Sequence, residues 1–346
     1  MHFQLAFIGF GNVARAFAQM MAEHQPALEL EYGVRWRTIA IATANHGCIT
    51  SPAGIDLLQA AKCVERGGNL TELPGAHAVS DTLAVITNCD ADVLFETTPL
   101  NPSDGQPATT YIRTALERGF HVVTANKGPI AFAYADLKAR AVDCGACFRF
   151  EGTVMDGAPV FNLVESCLPG VQILGFTGVL NSTTNLILTG MEAGRSFEES
   201  LDEAKRLGIA ESNADFDIDG WDAAVKAAAL ANVLMNAGTH PSDVIRDGIR
   251  NIKVEDIDEA SRASMAIRLL ARGRRTRDGV SLTVAPERVE LNSAIGCVQG
   301  TSNVLLLETD LMGDIALYEY HPGIKQTAYA LLSDFCSIIR EVKKRR

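Results

Sequence analysis

Five carboxylates stand between Leu207 and Val225 with no Lys or Arg among them: Glu211, Asp215, Asp217, Asp219 and Asp222. Crowded like charges need water, a metal or a cationic ligand. Asp215, Asp217, Asp219 and Gly220 copy the opening of a calcium loop, but its twelfth position is Lys226, where a bidentate Glu is required. Calcium is therefore excluded, and a small molecule bearing an ammonium group remains. The carboxylates run into a stretch, Asp222 to Gly238, whose only charged residues are Asp222 and Lys226. A helix apolar on every face is a buried helix. Four residues apart, Asp222 and Lys226 stack on one face, acid first, as the helix dipole favours. Two readings stay open. The pair is a solvated surface ion pair, or Lys226, among small alanines, donates a proton to a substrate oxygen.

Those residues need a scaffold, and the N-terminal half reads as an α/β pattern. Phe3 to Ile8 suits a buried parallel strand. The turn Gly9-Phe10-Gly11-Asn12-Val13-Ala14 follows, then a helical stretch from Arg15 to Glu23, which is G-x-G-x-x-A between strand and helix. Gly9 permits the tight turn, and Gly11 lets backbone approach a pyrophosphate at the helix N-terminus; a bare βα turn is the alternative. Arg37 to Ala44 reads as the second strand. Its end offers Thr43, Ala44, Asn45 and His46 rather than the acid that grips an NAD ribose, so NADP is permitted, with no Arg placed to bind it. Ala91 to Thr97 reads as a strand ending in Thr97, Thr98 and Pro99, where ligands bind in parallel sheets. His121 to Ala125 is the next strand. Lys127, just past it, faces nicotinamide and substrate or is a surface loop lysine.

Further along, Asp81 to Asn88 reads as a helix end and turn, and Glu151 to Pro159 as irregular backbone at a domain junction. Asn181 to Asn185 reads as a polar turn, or as a helix cap made by Thr184 or Asn185. Ser196 to Leu207 is an exposed helix, Val280 to Val284 alternates like an antiparallel strand, and Thr327 to Ile339 is an amphipathic helix. Lys343 to Arg346 reads as a solvated tail.

The chain of 346 residues is long enough for two domains, and its net charge of −11 opposes a nucleic-acid partner. No apolar run reaches the ~20 residues of a membrane span. The N-terminus runs straight into a strand without a signal peptide. Eight scattered cysteines suit a reducing cytoplasm, and Cys144 and Cys147 read as structural thiols.

In order along the chain come GFGNVARAF (9–17), ETTPLNP (96–102), HVVTANKGPIA (121–131), EGTVMDGAP (151–159), LNSTTNLIL (180–188), LGIAESNADFDIDGWDAAVK (207–226) and GIRNIKVEDI (248–257). With these motifs the chain resembles homoserine dehydrogenase nearly end to end, in a short form without a regulatory ACT domain. The resemblance implies an N-terminal Rossmann dinucleotide-binding domain (residues 1–150, with a C-terminal helix at 321–346 returning to it). An α+β domain over 151–320 would bind substrate, carry catalysis and form a homodimer. It also implies NAD(P)-dependent interconversion of L-homoserine and L-aspartate 4-semialdehyde, on the route to threonine and methionine. In that scheme Lys226 exchanges the proton with support from Asp222, and Lys127 stands in the active site. Gly9, Gly11, Asn12, Val13, Thr97, Thr98, Lys127 and Gly323 would bind coenzyme. Thr183, Gly208, Glu211, Asp217 and Asp222 would bind substrate, and Glu151, Val154, Asp156 and Ala158 a structural monovalent cation, Na⁺ or K⁺.

The chain departs from the family at 319–326, where a glycine-rich lid segment keeps only Gly323, and at Ser182, where glycine is commoner. Two rivals follow: a dehydrogenase of a related hydroxy amino acid, and a non-catalytic NAD(P)-binding sensor. Retention of Lys226, Asp222 and Lys127 speaks against the sensor. Aspartate-semialdehyde dehydrogenase is disfavoured, because no cysteine sits in a polar motif suited to a nucleophile.

Overall fold

The computed structural model describes residues 1–210 and 213–345, so the Glu211 expectation lies outside the described residues. The chain divides into two compact units, Met1–Pro159 with Gly323–Arg346, and Val160–Pro322.

The first unit is built on seven strands: β1 (His2–Ile8), β2 (Arg35–Ala42), β3 (Cys48–Thr50), β4 (His77–Val79), β5 (Val93–Glu96), β6 (His121–Thr124) and β7 (Phe148–Arg149). Their order is β4-β3-β2-β1-β5-β6-β7, parallel from β2 through β7, with β3 and β4 antiparallel at one edge. From β1 the chain moves outward to β2 and later returns to β1's other side as β5. This reversal opens a crevice at the carboxyl ends of β1 and β5, where doubly wound sheets bind ligands. The first helix, Asn12–Tyr32, is longer than the expected Arg15–Glu23 and carries Pro26 inside it. It continues because Leu28 is buried in the same core as Met21 and Val34, and it stops at Gly33 in left-handed backbone (φ 56°).

The final helix, Ile324–Lys344, overruns the expected Thr327–Ile339 at both ends and belongs to this first unit. Its Phe335 ring meets Phe3, Trp36 and Phe95, with centroids 5.6, 6.0 and 5.8 Å away. Asp334 accepts the Glu151 backbone N–H at 2.8 Å, and Arg149 pairs with Glu341 at 2.9 Å. The expected tail is instead a helix end: Lys343 and Lys344 are helical, and Arg345 donates to the Gly145 carbonyl at 2.5 Å.

The second unit holds a mixed sheet of β8 (Ile173–Val179), β9 (Ile245–Arg246), β10 (Met265–Thr276), β11 (Gly279–Glu290), β12 (Asn303–Thr309) and β13 (Asp314–Glu319). The order is β13-β12-β8-β10-β11-β9, antiparallel except for β11 with β9. β10 and β11 form a long hairpin across Arg277-Asp278. The helix Trp221–Met235 packs on β10 and β11, with eleven of its fifteen residues buried, as an all-round apolar helix must be. It ends at Asn236 in left-handed backbone (φ 52°), short of the expected Gly238. The stretch before it, expected as a loop, contains a helical turn, Asp215–Ile218.

Phe335→Ala empties the centre of the first unit's aromatic core. It is expected to cost about 3–5 kcal/mol, read as a lower urea midpoint with unchanged m-value.

Candidate active site

In the second unit, β8 delivers the chain to Leu180 and Asn181, and a helix, Ser182–Glu192, starts at once. The expected cap was Thr184 or Asn185; the cap is Asn181, whose Oδ1 accepts the Thr184 N–H at 2.8 Å and its hydroxyl at 2.9 Å. That fixes the amide, and Asn181 Nδ2 then donates to Asp217 Oδ1 at 2.8 Å and to Asp222 Oδ2 at 3.0 Å. Lys226 Nζ donates to the Leu180 carbonyl at 2.5 Å and stands 3.3 Å from Asp222. The side chains of Lys226 and Asp222 are 13% and 9% exposed, which rules out the solvated surface pair. Two carboxylates, one ammonium and one amide thus meet at the end of β8.

Asp217 has its pKa raised, first by burial and then by the negative charge of Asp222; hydrogen bonds from Asn181 and Thr183 and the charge of Lys226 oppose this. Its carboxylate would therefore gain from a further positive group. Thr183 is buried beside it, its hydroxyl 3.4 Å from the Ile209 carbonyl. Gly208 lies apart from these contacts, in left-handed backbone (φ 70°) after the helix Phe197–Arg206.

The acidic stretch is not one cluster. Arg250 Nε donates to Asp219 at 2.8 Å and Arg250 Nη2 to Asp215 at 2.5 Å. Those two carboxylates are neutralised by an arginine far along the chain, which leaves Asp217 and Asp222, among the described residues of the stretch, as the carboxylates that meet at the end of β8.

In the first unit the Gly9–Ala14 turn follows β1. Gly9 has φ 83°, and a Cβ there would lie 2.7 Å from the Thr97 carbonyl carbon, so the fold itself demands glycine. Gly11 is different: a Cβ there meets no atom within 4 Å. The protein's own atoms therefore do not demand glycine at this position. Gly11 caps the helix that begins with Asn12 and Val13. Beside it opens a cavity of about 600 Å³ lined by Gly9, Gly11, Thr43, His46, Thr97 and Thr98 among others. An elongated dinucleotide with its phosphates at the helix N-terminus fits this site.

The floor of the cavity depends on a residue the sequence reading passed over. Glu96, fully buried at the end of β5, accepts the Thr98 N–H at 2.8 Å, the Thr98 hydroxyl, and the Thr124 hydroxyl at 2.7 Å. Burial raises its pKa, against the pull of the hydrogen bonds from Thr98, Thr124 and Asn126. Thr97 donates to the Gly9 carbonyl at 3.0 Å. Asn126 donates to the Thr98 carbonyl at 3.1 Å and caps the next helix by accepting the Gly128 N–H at 3.0 Å. Lys127 is the first residue of that helix, Lys127–Asp143, not the end of a strand. A cation at the positive end of a helix dipole is poorly placed for stability and well placed for an anion. The one sequence signal for Glu96 is a carboxylate closing an otherwise apolar strand.

Gly323 caps the final helix in extended backbone. In the turn from Glu151 to Ala158, Glu151 and Val154 are buried, and Asp156 adopts φ 38° with its carboxylate accepting the Thr327 hydroxyl at 2.7 Å.

Comparison with known proteins matches residues 9–151 to the model of the homoserine dehydrogenase NAD-binding domain and residues 159–336 to that of homoserine dehydrogenase. An NAD(+)-dependent homoserine dehydrogenase of Pseudomonas canavaninivorans is 36% identical over 99% of this chain and 98% of its own. The homoserine dehydrogenase of Methanocaldococcus jannaschii is 37% identical over 98% and 99%. A solved hyperthermophilic archaeal homoserine dehydrogenase in complex with NADPH superposes with a TM-score of 0.83 at 28% identity, covering 99% of this chain and 98% of that one. The dinucleotide cavity, the buried lysine site and these similarities over the whole length agree: the chain belongs to the homoserine dehydrogenase family and is an NAD(P)-dependent oxidoreductase.

Proposed function

We propose that Lys226 is the proton donor and acceptor in the interconversion of L-homoserine and L-aspartate 4-semialdehyde, the NAD(P)-dependent reaction of this family. The observation that carries the assignment is the Lys226 ammonium held between the Leu180 carbonyl and Asp222 in a largely buried site. The nicotinamide coenzyme, when bound, supplies or accepts the hydride. Lys226 as ammonium protonates the alkoxide that forms when the aldehyde is reduced; as amine it takes the hydroxyl proton when homoserine is oxidised. Asp222 orients Lys226, and Asn181 locks Asp222 and Asp217 in place. Asp217, with Glu211 and Thr183, holds the substrate ammonium and fixes its orientation; Gly208 joins the substrate site on the family resemblance alone. Lys127 supplies a second positive charge to the developing alkoxide. Gly9, Gly11, Asn12, Val13, Thr97, Thr98 and Gly323 form the coenzyme site in this reading.

The unit Met1–Pro159 with Gly323–Arg346 serves as the dinucleotide-binding domain, and Val160–Pro322 as the substrate and dimerisation domain. The turn Glu151–Ala158 takes a structural monovalent cation through Glu151, Val154, Asp156 and Ala158; the left-handed turn at Asp156 supports this. Eight unpaired cysteines support a cytoplasmic setting, and the family resemblance supports a homodimer.

Initial rates of homoserine oxidation test the reaction. Lys226→Ala should lower kcat by roughly 10²–10⁴ with little change in KM. Wild-type oxidation should rise with pH and aldehyde reduction fall over the same range. Lys226→Arg, which holds its proton at any accessible pH, should lose oxidation most severely. A Lys226→Ala enzyme that keeps most of its kcat would reduce the lysine to a structural partner of Asp222.

Gly11→Val adds a side chain where the fold has room and the coenzyme does not. It should retain the wild-type circular dichroism spectrum and lose coenzyme binding in fluorescence titration.

Asp217 carries a raised folded-state pKa, so its ionisation opposes folding, and the cost grows as pH rises above the ordinary carboxylate range. Asp217→Asn should therefore raise Tm at neutral pH and lose that advantage near pH ~4, while its KM for homoserine rises. In the wild type, KM should climb on acidification earlier than an unperturbed carboxylate would allow.

A further inference from the structure

The Asn181 side chain is buried where three parts of the second unit's site meet, and its amide is held in one orientation. Its Oδ1 accepts both the N–H and the hydroxyl of Thr184, at 2.8 and 2.9 Å. Both donors belong to the first turn of the helix Ser182–Glu192, so Nδ2 must point the other way. There it donates to Asp217 Oδ1 at 2.8 Å and to Asp222 Oδ2 at 3.0 Å. An amide nitrogen carries two hydrogens, so each carboxylate receives one. The same Asp222 oxygen lies 3.3 Å from Lys226 Nζ. That nitrogen donates to the Leu180 carbonyl, which belongs to the peptide group joining Leu180 to Asn181.

Capping alone does not require this side chain. Ser and Asp cap a helix as well as Asn does, but Ser ends short of the two acids, and Asp would present an oxygen where Asn presents its donors. The donors matter to Lys226. A hydrogen bond to a carboxylate stabilises its charge and weakens its pull on a neighbouring proton. Without that bond, Asp222 and Asp217 would hold Lys226 more firmly as ammonium, while oxidation needs the amine. Other charges on elements packed against the Lys226 helix are engaged elsewhere or exposed. On β10 and β11, Arg268 pairs with Glu192, Arg272 with Glu287 and Arg288 with Glu259, and Arg274, Arg275 and Glu290 are exposed. Asp215 pairs with Arg250, Asp243 accepts the His240 N–H at 2.8 Å, and Glu165 is exposed. Asp217 and Asp222, both held by Asn181, are the carboxylates left to act on Lys226.

We propose that Asn181 is a positioning residue for the proton exchange: its one amide holds the acid beside Lys226 and the acid of the substrate-ammonium site at once. It thereby couples ammonium recognition to proton release. The proposal rests on the reading of Lys226 as the proton-exchanging group.

The test is the pH dependence of kcat in both directions for Asn181→Ser and Asn181→Asp, each of which keeps an oxygen for the helix cap, beside wild type and Lys226→Ala. In both Asn181 variants the rise of homoserine oxidation should move up by roughly one pH unit, and aldehyde reduction should persist to correspondingly higher pH. In the alkaline range where oxidation rises, the carboxylate of Asn181→Asp is ionised, so its displacement should be at least that of Asn181→Ser. A defect of structure alone would lower both directions and leave the midpoint in place. KM for homoserine should rise roughly threefold to tenfold in Asn181→Ser, the size of one lost hydrogen bond. The effects of Asn181→Ser and Asp217→Asn on kcat/KM should be less than additive, because both break the same contact. A wild-type midpoint in either variant, with the fold retained by circular dichroism, overturns the proposal, and full additivity removes the coupling. If Lys226→Ala keeps the wild-type oxidation limb, the limb does not belong to the lysine, and the proton-exchange reading falls together with the proposal.

Discussion

A buried ammonium beside two carboxylates is the constraint around which the second unit is arranged. Lys226 and Asp222 largely leave bulk water beside the half-buried Asp217, and charges taken out of water are costly unless neighbours replace the lost hydration. The replacements come from separate elements: a carbonyl from Leu180 at the end of β8, an amide from Asn181 at the head of a helix, and the helical spacing that places Asp222 one turn before Lys226. The helix Trp221–Met235 is alanine-rich where it packs on β10 and β11, which lets it lie close to the sheet and seal that charge group. Burial first, and then the charge of Asp222, raise the pKa of Asp217.

Glu96 plays the corresponding part in the first unit. A carboxylate with full burial would be a liability in a parallel strand, but three donors converge on it from Thr98 and Thr124. The result ties the ends of β5 and β6, from which the cavity floor and the start of the Lys127 helix both follow. Gly9 is fitted against Thr97 so closely that no side chain is possible, whereas Gly11 is kept clear of the protein's own atoms. The two glycines of one motif therefore differ: the fold requires the first and leaves room at the second. The strand order leaves a crevice between β1 and β5, and Asn126 caps the helix that starts beside it.

What the sequence alone determined was whatever depends on short spacing. The glycine turn after a strand, the (i, i+4) pair of Asp222 and Lys226, the all-round apolar helix and the alternating strands of the hairpin are set by the periods of 3.6 and 2, and they were legible. What only the tertiary structure decided was which charges meet across long separations. Arg250 removes Asp215 and Asp219 from the acidic stretch across 35 and 31 residues. Asn181 reaches Asp217 and Asp222 across 36 and 41. Glu96 reaches Thr124 across 28. Element ends follow packing in the same way: the first helix runs past Glu23 and through Pro26 to Tyr32, with Leu28 buried in the core. A sequence specifies how its backbone repeats, while the partner of a charge is chosen by packing, because only packing brings distant groups within a few ångströms and removes the water between them.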